Sequence, residues 1–176
     1  LSLLAMNLCF YEAISRAPVG VVVAVEFLGP LGVAVAGSRR WLDAVWVVLA
    51  GVGVFVLADP SGSVSTAGLL FSLASAVCWA AFLLLAKAAV TRMEPLQVTT
   101  LMLIGSTVLL TPVFLATGVK VTGQGHAILL GLGVAVLSSA LPYLLEMTAL
   151  KRVRASTYGV LLSLEPGIAA LMGFVI

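Results

Sequence analysis

The chain has 176 residues, of which 62% are hydrophobic and 9% charged, and its formal net charge is +2. Soluble domains carry about 25% charged residues, so this composition lacks the polar shell of a water-soluble globule and reads as a membrane protein. The basic residues are dispersed between apolar runs, which excludes a nucleic-acid-binding patch, and Cys9 and Cys78 fall in apolar segments and imply no disulfide framework.

Charges, prolines and small polar clusters divide the chain into seven apolar segments, at about 1–15, 18–38, 42–58, 66–90, 95–117, 125–149 and 155–176. The runs 60–86, 95–119 and 121–145 contain no Asp, Glu, Lys or Arg, and each exceeds the ~20 residues a helix needs to cross the hydrocarbon core. Barrel strands are far shorter and alternate in polarity, so the expected class is all-α, a polytopic transmembrane helical bundle. Short links such as GSRRWLD and KRVRAS make neighbouring helices antiparallel. The opening Leu-Ser and the closing GFVI, which stops inside the seventh segment, lead to the expectation of a fragment.

Lys and Arg set the orientation. Arg39, Arg40, Lys87, Arg92, Lys151, Arg152 and Arg154 lie in the second, fourth and sixth links, whereas the first and fifth links hold only Arg16 and Lys120 and the third holds none. Basic residues favour the cytoplasmic side, so links 39–43, 87–95 and 150–155 are expected there. The alternation supports the segment count independently of hydropathy.

An internal repeat is also visible. Residues 1–40 laid on 137–176 give nine identities, among them Arg16/Arg152, Leu28/Leu164, Pro30/Pro166 and Gly37/Gly173. Each copy reads as a basic link followed by a helix with a central proline and small residues. The copies lie five crossings apart, so they point oppositely through the membrane. Inverted repeats with interrupted helices are the architecture of secondary transporters, whose substrate sites lie near the midplane.

Two acids stand out inside these segments, each beside a proline: Glu26 in AVEFLGP and Glu165 in SLEPGIA. A charged side chain at the bilayer centre costs roughly 2.5–3.5 kcal/mol on insertion scales, which makes both candidates for binding a proton or a substrate ammonium. Pro30 also strands the carbonyl of Glu26, because proline removes the N–H that would bond four residues back. Glu146 lies one turn after Pro142 and Tyr143, forming a polar cluster near the basic link at Lys151. Ser163 and Tyr158 are candidate cavity neighbours of Glu165. Asn7, Tyr11 and Trp79 are candidate cavity or gate residues, with simple packing as the alternative, and Glu12 is expected to pair with Arg16 at i+4. Lys87 and Arg92 are expected to snorkel to the cytoplasmic face.

The stretches NLCFYEAISRAPVGVVVAVEFLGPLGVAVAGSRR (7–40) and LPYLLEMTALKRVRASTYGVLLSLEPGIAALMG (141–173) resemble the EamA family of the drug/metabolite transporter superfamily, and within it the bacterial threonine/homoserine exporter group. The resemblance implies ten helices as two inverted five-helix repeats, of which seven are present here. Residues 1–58 would be the C-terminal part of the first repeat and 59–176 the N-terminal part of the second. It implies export of small amino acids or related metabolites, generally by exchange with protons, across the bacterial cytoplasmic (inner) membrane. Glu26, Pro30, Tyr143, Glu146, Glu165 and Pro166 fall on motif positions, and Asn7 matches the start of the first motif.

The expected function is therefore a proton-coupled secondary exporter working by alternating access. Its substrate- or proton-binding candidates are Glu26, Glu165, Glu146, Tyr143, Asn7 and Tyr158, and its helix-break or gating candidates are Pro30, Pro142, Pro166 and Trp79. The expected partners are the lipid bilayer, protons and a small polar metabolite or amino acid, with a homodimer as one arrangement open to the chain. The alternatives are another cargo of the same superfamily, such as a nucleotide-sugar or an organic cation, and a non-transporting membrane scaffold. His126 stands alone in a link, and no P-loop, HExxH or GxSxG occurs, so no metal, cofactor or enzymatic activity is expected.

Overall fold

The computed structural model describes residues 1–37, Val45, 65–116 and 125–162. Every element among them is helical and none is a strand. In chain order they are α1 (Ser2–Ile14), α2 (Val19–Glu26), α3 (Leu28–Ala36), α4 (Thr66–Val90), α5 (Pro95–Ala116), α6 (Gly125–Ala135), a π-helical turn (Val136–Ala140), α7 (Leu141–Arg152) and α8 (Ala155–Leu162). Among the described residues, four stretches are long and apolar enough to cross a membrane: Val19–Ala36, Thr66–Val90, Pro95–Pro112 and Leu129–Arg152. The expected segment at 42–58 lies outside the described residues, as does most of the one at 155–176.

Two of the spans are interrupted, and each interruption precedes a proline. The segment at 18–38 is α2 and α3 with a break at Phe27, so Pro30 becomes the third residue of a new helix. Proline is tolerated in a first turn, where its missing N–H leaves no intrahelical bond unmade. Phe27 still donates to Val23 and Leu31 to Phe27, at 3.1 and 3.2 Å, which keeps the two pieces in one span while the Glu26 carbonyl lacks its usual donor. In the segment at 125–149 the π turn plays the same part, and Pro142 is the second residue of α7. The helix there continues to Arg152, three residues past the expected end.

Two further ends are fixed by side chains. Ser65 caps α4 by accepting from the Gly68 N–H at 3.0 Å. At the start of α5, where Pro95 is the first helical residue, Gln97 Oε1 accepts from the Glu94 N–H at 3.1 Å. Within the spans, Ser72, Thr99, Thr100, Thr107, Thr111 and Thr148 each donate to the carbonyl four residues earlier. Hydroxyls are thereby satisfied without a partner helix, which an apolar medium requires.

The chain forms two compact units, one from Leu1–Leu85 with Val153–Ile176 and one from Ala86–Arg152. In the second, Lys87 Nζ donates to the carbonyls of Leu150 and Lys151 at 2.8 and 3.4 Å, and Lys151 pairs with Glu94 at 2.8 Å. Lys87 was expected to snorkel; here its ammonium meets the negative end of the α7 dipole.

In the first unit, Ala13, Ala17 and Val22 are buried against Phe10, Ile14 and Phe71, and the Arg16 guanidinium lies 5.0 Å from the Phe71 ring centre. α3 packs against α8 and α4 through glycines. A Cβ on Gly29 would collide with the Ala76 carbonyl, and one on Gly159 with the Pro30 carbonyl. Small residues let membrane helices approach to backbone contact. Gly29→Val and Gly159→Val should therefore each destabilise the protein by about 1–3 kcal/mol, read as a lower Tm of the full-length protein in detergent. Gly32, whose Cβ would meet nothing within 4 Å, should tolerate alanine with almost no change, and equal losses at all three positions would contradict this packing.

Candidate functional site

The first unit gathers the Glu26 environment from three elements. α2 ends on Glu26, which is buried at 8% exposure. α4 brings Ser75, fully buried, whose Oγ lies 2.5 Å from Glu26 Oε1. The same Oγ lies 3.1 Å from the Met6 carbonyl of α1. One serine thus touches both an acid of α2 and the backbone of α1, in the middle of a 25-residue apolar helix. Arg16 pairs with Glu12 and Lys151 with Glu94, and among the described residues no cation pairs with Glu26. What offsets the cost of its burial is a hydroxyl, a weaker partner than a charge and one that leaves room for exchange.

One turn along α4 from Ser75, Trp79 packs edge-to-face on Phe27, with ring centres 5.1 Å apart and planes at 64°. Phe27 is the residue at which the α2–α3 span is interrupted, so α4 holds both sides of the break: the acid through Ser75 and the broken residue through Trp79. Pro30 follows in α3, and its carbonyl faces Gly159, next to the buried Tyr158 of α8. Asn7 follows Met6 on α1 and donates from Nδ2 to Leu3 O at 2.9 Å. Glu26, Pro30, Trp79, Tyr158 and Asn7 are therefore all in the first unit.

The other sequence candidates lie elsewhere. Tyr143 and Glu146 are half-buried electrostatic neighbours on α7 in the second unit, where they follow Pro142 and the π turn. Such turns recur at functional sites. Glu165 and Pro166, with Ser163, lie outside the described residues. Glu12 forms the expected pair with Arg16 on the exposed face of α1.

A groove of about 690 Å³ also runs along the first unit, between α3, α4 and the start of α8. Its lining is apolar, with Gly29, Gly32, Leu73 and Val77 in the walls, apart from Arg154 and Ser156. Glu26 is not among the residues lining it.

Ser75 was missed by sequence reasoning. A signal was present: Ser72 and Ser75, spaced by one turn in LLFSLASAVCWAA, are small polar residues on one face of a membrane helix. Many such residues only bond back to their own helix, as Ser72 does to Gly68 O at 2.9 Å, so the pattern alone does not single out Ser75.

Residues 66–176 match the EamA-like transporter family. The chain belongs to this family. It is 40% identical over 178 residues to the threonine/homoserine exporter RhtA of Salmonella typhimurium LT2, and 41% identical over 181 residues to the threonine/homoserine exporter RhtA of Escherichia coli K12. Each match covers 99% of the chain and 60% of the relative, so the chain spans about 60% of the length of these curated relatives. No solved structure matches it. The family membership expected from the motifs at 7–40 and 141–173 is thus borne out, and the EamA-like family supplies the setting in which a buried acid beside a broken helix is read.

The Phe27–Trp79 contact makes a specific prediction. Replacing both rings by leucine in a double-mutant cycle should give a coupling of about 0.5–1.5 kcal/mol in unfolding stability. Strictly additive losses would mean that α4 does not hold the break through this pair.

Proposed function

We propose that the chain is part of a proton-coupled secondary transporter that exports a small amino acid or related zwitterionic metabolite across a bacterial inner membrane. The observation that carries the reading is Glu26: a carboxyl group buried within a membrane span, held by a hydroxyl rather than a cation, at a helix break. Family membership supports a transporter rather than an enzyme, and the similarity to threonine/homoserine exporters supports the cargo class. The match that starts at residue 66 also supports a second structural repeat beginning near 59.

In this mechanism Glu26 holds either a proton or the substrate ammonium, never both, because one carboxylate offers one compensating charge. The carbonyl that Pro30 leaves without a donor gives an ammonium a second acceptor beside the carboxylate. Proton entry from one side then releases the substrate, and the cycle resets when substrate binding from the other side releases the proton. The inverted halves rock about the site, with Glu165, beside the repeated proline Pro166, as the second acid and Tyr158 and Asn7 as polar neighbours.

Glu26→Gln keeps the shape and hydrogen bonding of the side chain but cannot cycle a proton. In liposomes containing the full-length protein it should abolish pH-driven threonine exchange, with insertion and folding retained. Export at the wild-type rate across about pH 5–8 would exclude Glu26 as the coupling group. It would then favour another coupling residue or a non-transporting scaffold.

A further inference from the structure

We infer that Ser75 is a positioning residue that lets the protein distinguish a proton on Glu26 from a bound ammonium, by changing how α1 is tied to α4. The inference rests on the reading of Glu26 as the exchanging acid, and it follows from counting hydrogens. The Ser75 hydroxyl has one hydrogen and lies within bonding distance of two oxygens, Glu26 Oε1 at 2.5 Å and Met6 O at 3.1 Å. Both are acceptors when Glu26 is ionised, so a single hydrogen serves one of them. Hydrogen bonds to a carboxylate are roughly twice as strong as neutral ones, so the hydrogen turns to Glu26 and the Met6 carbonyl loses its link to α4.

A proton on Glu26 changes the count. The carboxylic acid then donates to Ser75 Oγ, which frees the serine hydrogen for Met6 O, and all three elements are joined in a chain of two bonds from α2 through α4 to α1. An ammonium at Glu26 also neutralises the carboxylate, but it leaves the carboxyl group without a hydrogen to give to Ser75. Proton-loaded and cation-loaded states therefore differ at α1, next to Asn7, although their net charge at Glu26 is the same.

The groups that can interfere are few. α1 carries Cys9, Tyr11 and Glu12, of which Glu12 is paired with Arg16 and Tyr11 is exposed. Within this unit α4 carries Cys78, α8 carries Tyr158, and α3 carries no titratable side chain. None of these forms an ion pair with Glu26 among the described residues.

Native cysteines supply the reporter. Cys9 lies one turn beyond Met6 on α1 and Cys78 one turn beyond Ser75 on α4, each one turn along from the Ser75–Met6 contact. Copper-phenanthroline cross-linking of this pair in the full-length protein in liposomes reads the α1–α4 tie, with any other cysteine replaced. Rates are expressed at each pH as the ratio of Ser75→Thr to Ser75→Val, which cancels thiol ionisation and compares side chains of one shape that differ in the hydroxyl. The expected ratio is about three- to tenfold at acid pH, the worth of one net hydrogen bond, and falls to near one at alkaline pH. In a Glu26→Gln background, where the amide donates at every pH, the ratio should stay high throughout. Added threonine should lower the ratio at acid pH rather than raise it.

A ratio that is flat with pH, or that threonine raises, overturns the relay. The threonine exchange assay separates the two failures. If the ratio is flat but Glu26→Gln still abolishes pH-driven exchange, only the role of Ser75 falls; if Glu26→Gln exchanges normally, the reading of Glu26 falls with it.

Discussion

A carboxyl group can sit inside an apolar helix packing only if something takes up its hydrogen-bonding capacity, and here that something is one hydroxyl. The Ser75–Glu26 contact makes the arrangement around it intelligible. α4 must be close enough for a serine to reach α2, and the close approach of Gly29 to the Ala76 carbonyl supplies that closeness, one residue along α4 from Ser75 and three residues beyond Glu26 at the start of α3. α1 must present a carbonyl to the same serine, which Met6 does. A salt bridge in this place would bind Glu26 permanently, because breaking a buried pair leaves an uncompensated charge and costs several kcal/mol. A hydroxyl stabilises the acid less and therefore permits its partner to change.

The second constraint is the proline. Pro30 turns a membrane span into two helices joined at Phe27, and it does so beside the acid. The cost of the lost backbone bond is offset by moving the proline into a first turn and by clamping Phe27 with Trp79. The π turn before Pro142 solves the same problem by widening one turn. Both spans thus combine continuous apolar length with a local departure from regular α-helix, which in a membrane is tolerated where protein or water covers it. The EamA-like family to which the chain belongs is one of transporters, and interrupted helices are a general feature of transporter architectures.

How much of this was legible in the residues depends on the range of the interactions. The span at 66–90 was read with the observed ends, because a long apolar run between polar clusters is a local signal. The stress at Glu26 was legible too, since the carbonyl stranded by Pro30 follows from chain geometry alone. The EFLGP and LPYLLEM motifs led to the family. What stayed hidden needed a second helix: Ser75 bonds across 49 residues and Lys87 across 63, and neither distance leaves a trace in local composition. Lys87 read as a snorkelling lysine from its stem and charge, and its bonds to the end of α7 depend on where α7 lies. The π turn was equally hidden, since VLSSA differs little from the residues around it. Glu26 and Glu165 do not fall on the same position of the repeat between 1–40 and 137–176; what the two copies share is the proline beside each acid, Pro30 and Pro166, and Glu165 lies outside the described residues.

On the proposed mechanism Glu26 itself exchanges a proton for the substrate. Infrared difference spectroscopy of the full-length protein in liposomes reads this directly, with the carboxylic C=O band of Glu26 assigned by its loss in the Glu26→Gln variant. Adding threonine at a pH where the band is present should remove it and raise the carboxylate bands in its place. A Glu26 band that is unchanged by saturating threonine, in protein shown to transport it, would contradict the account.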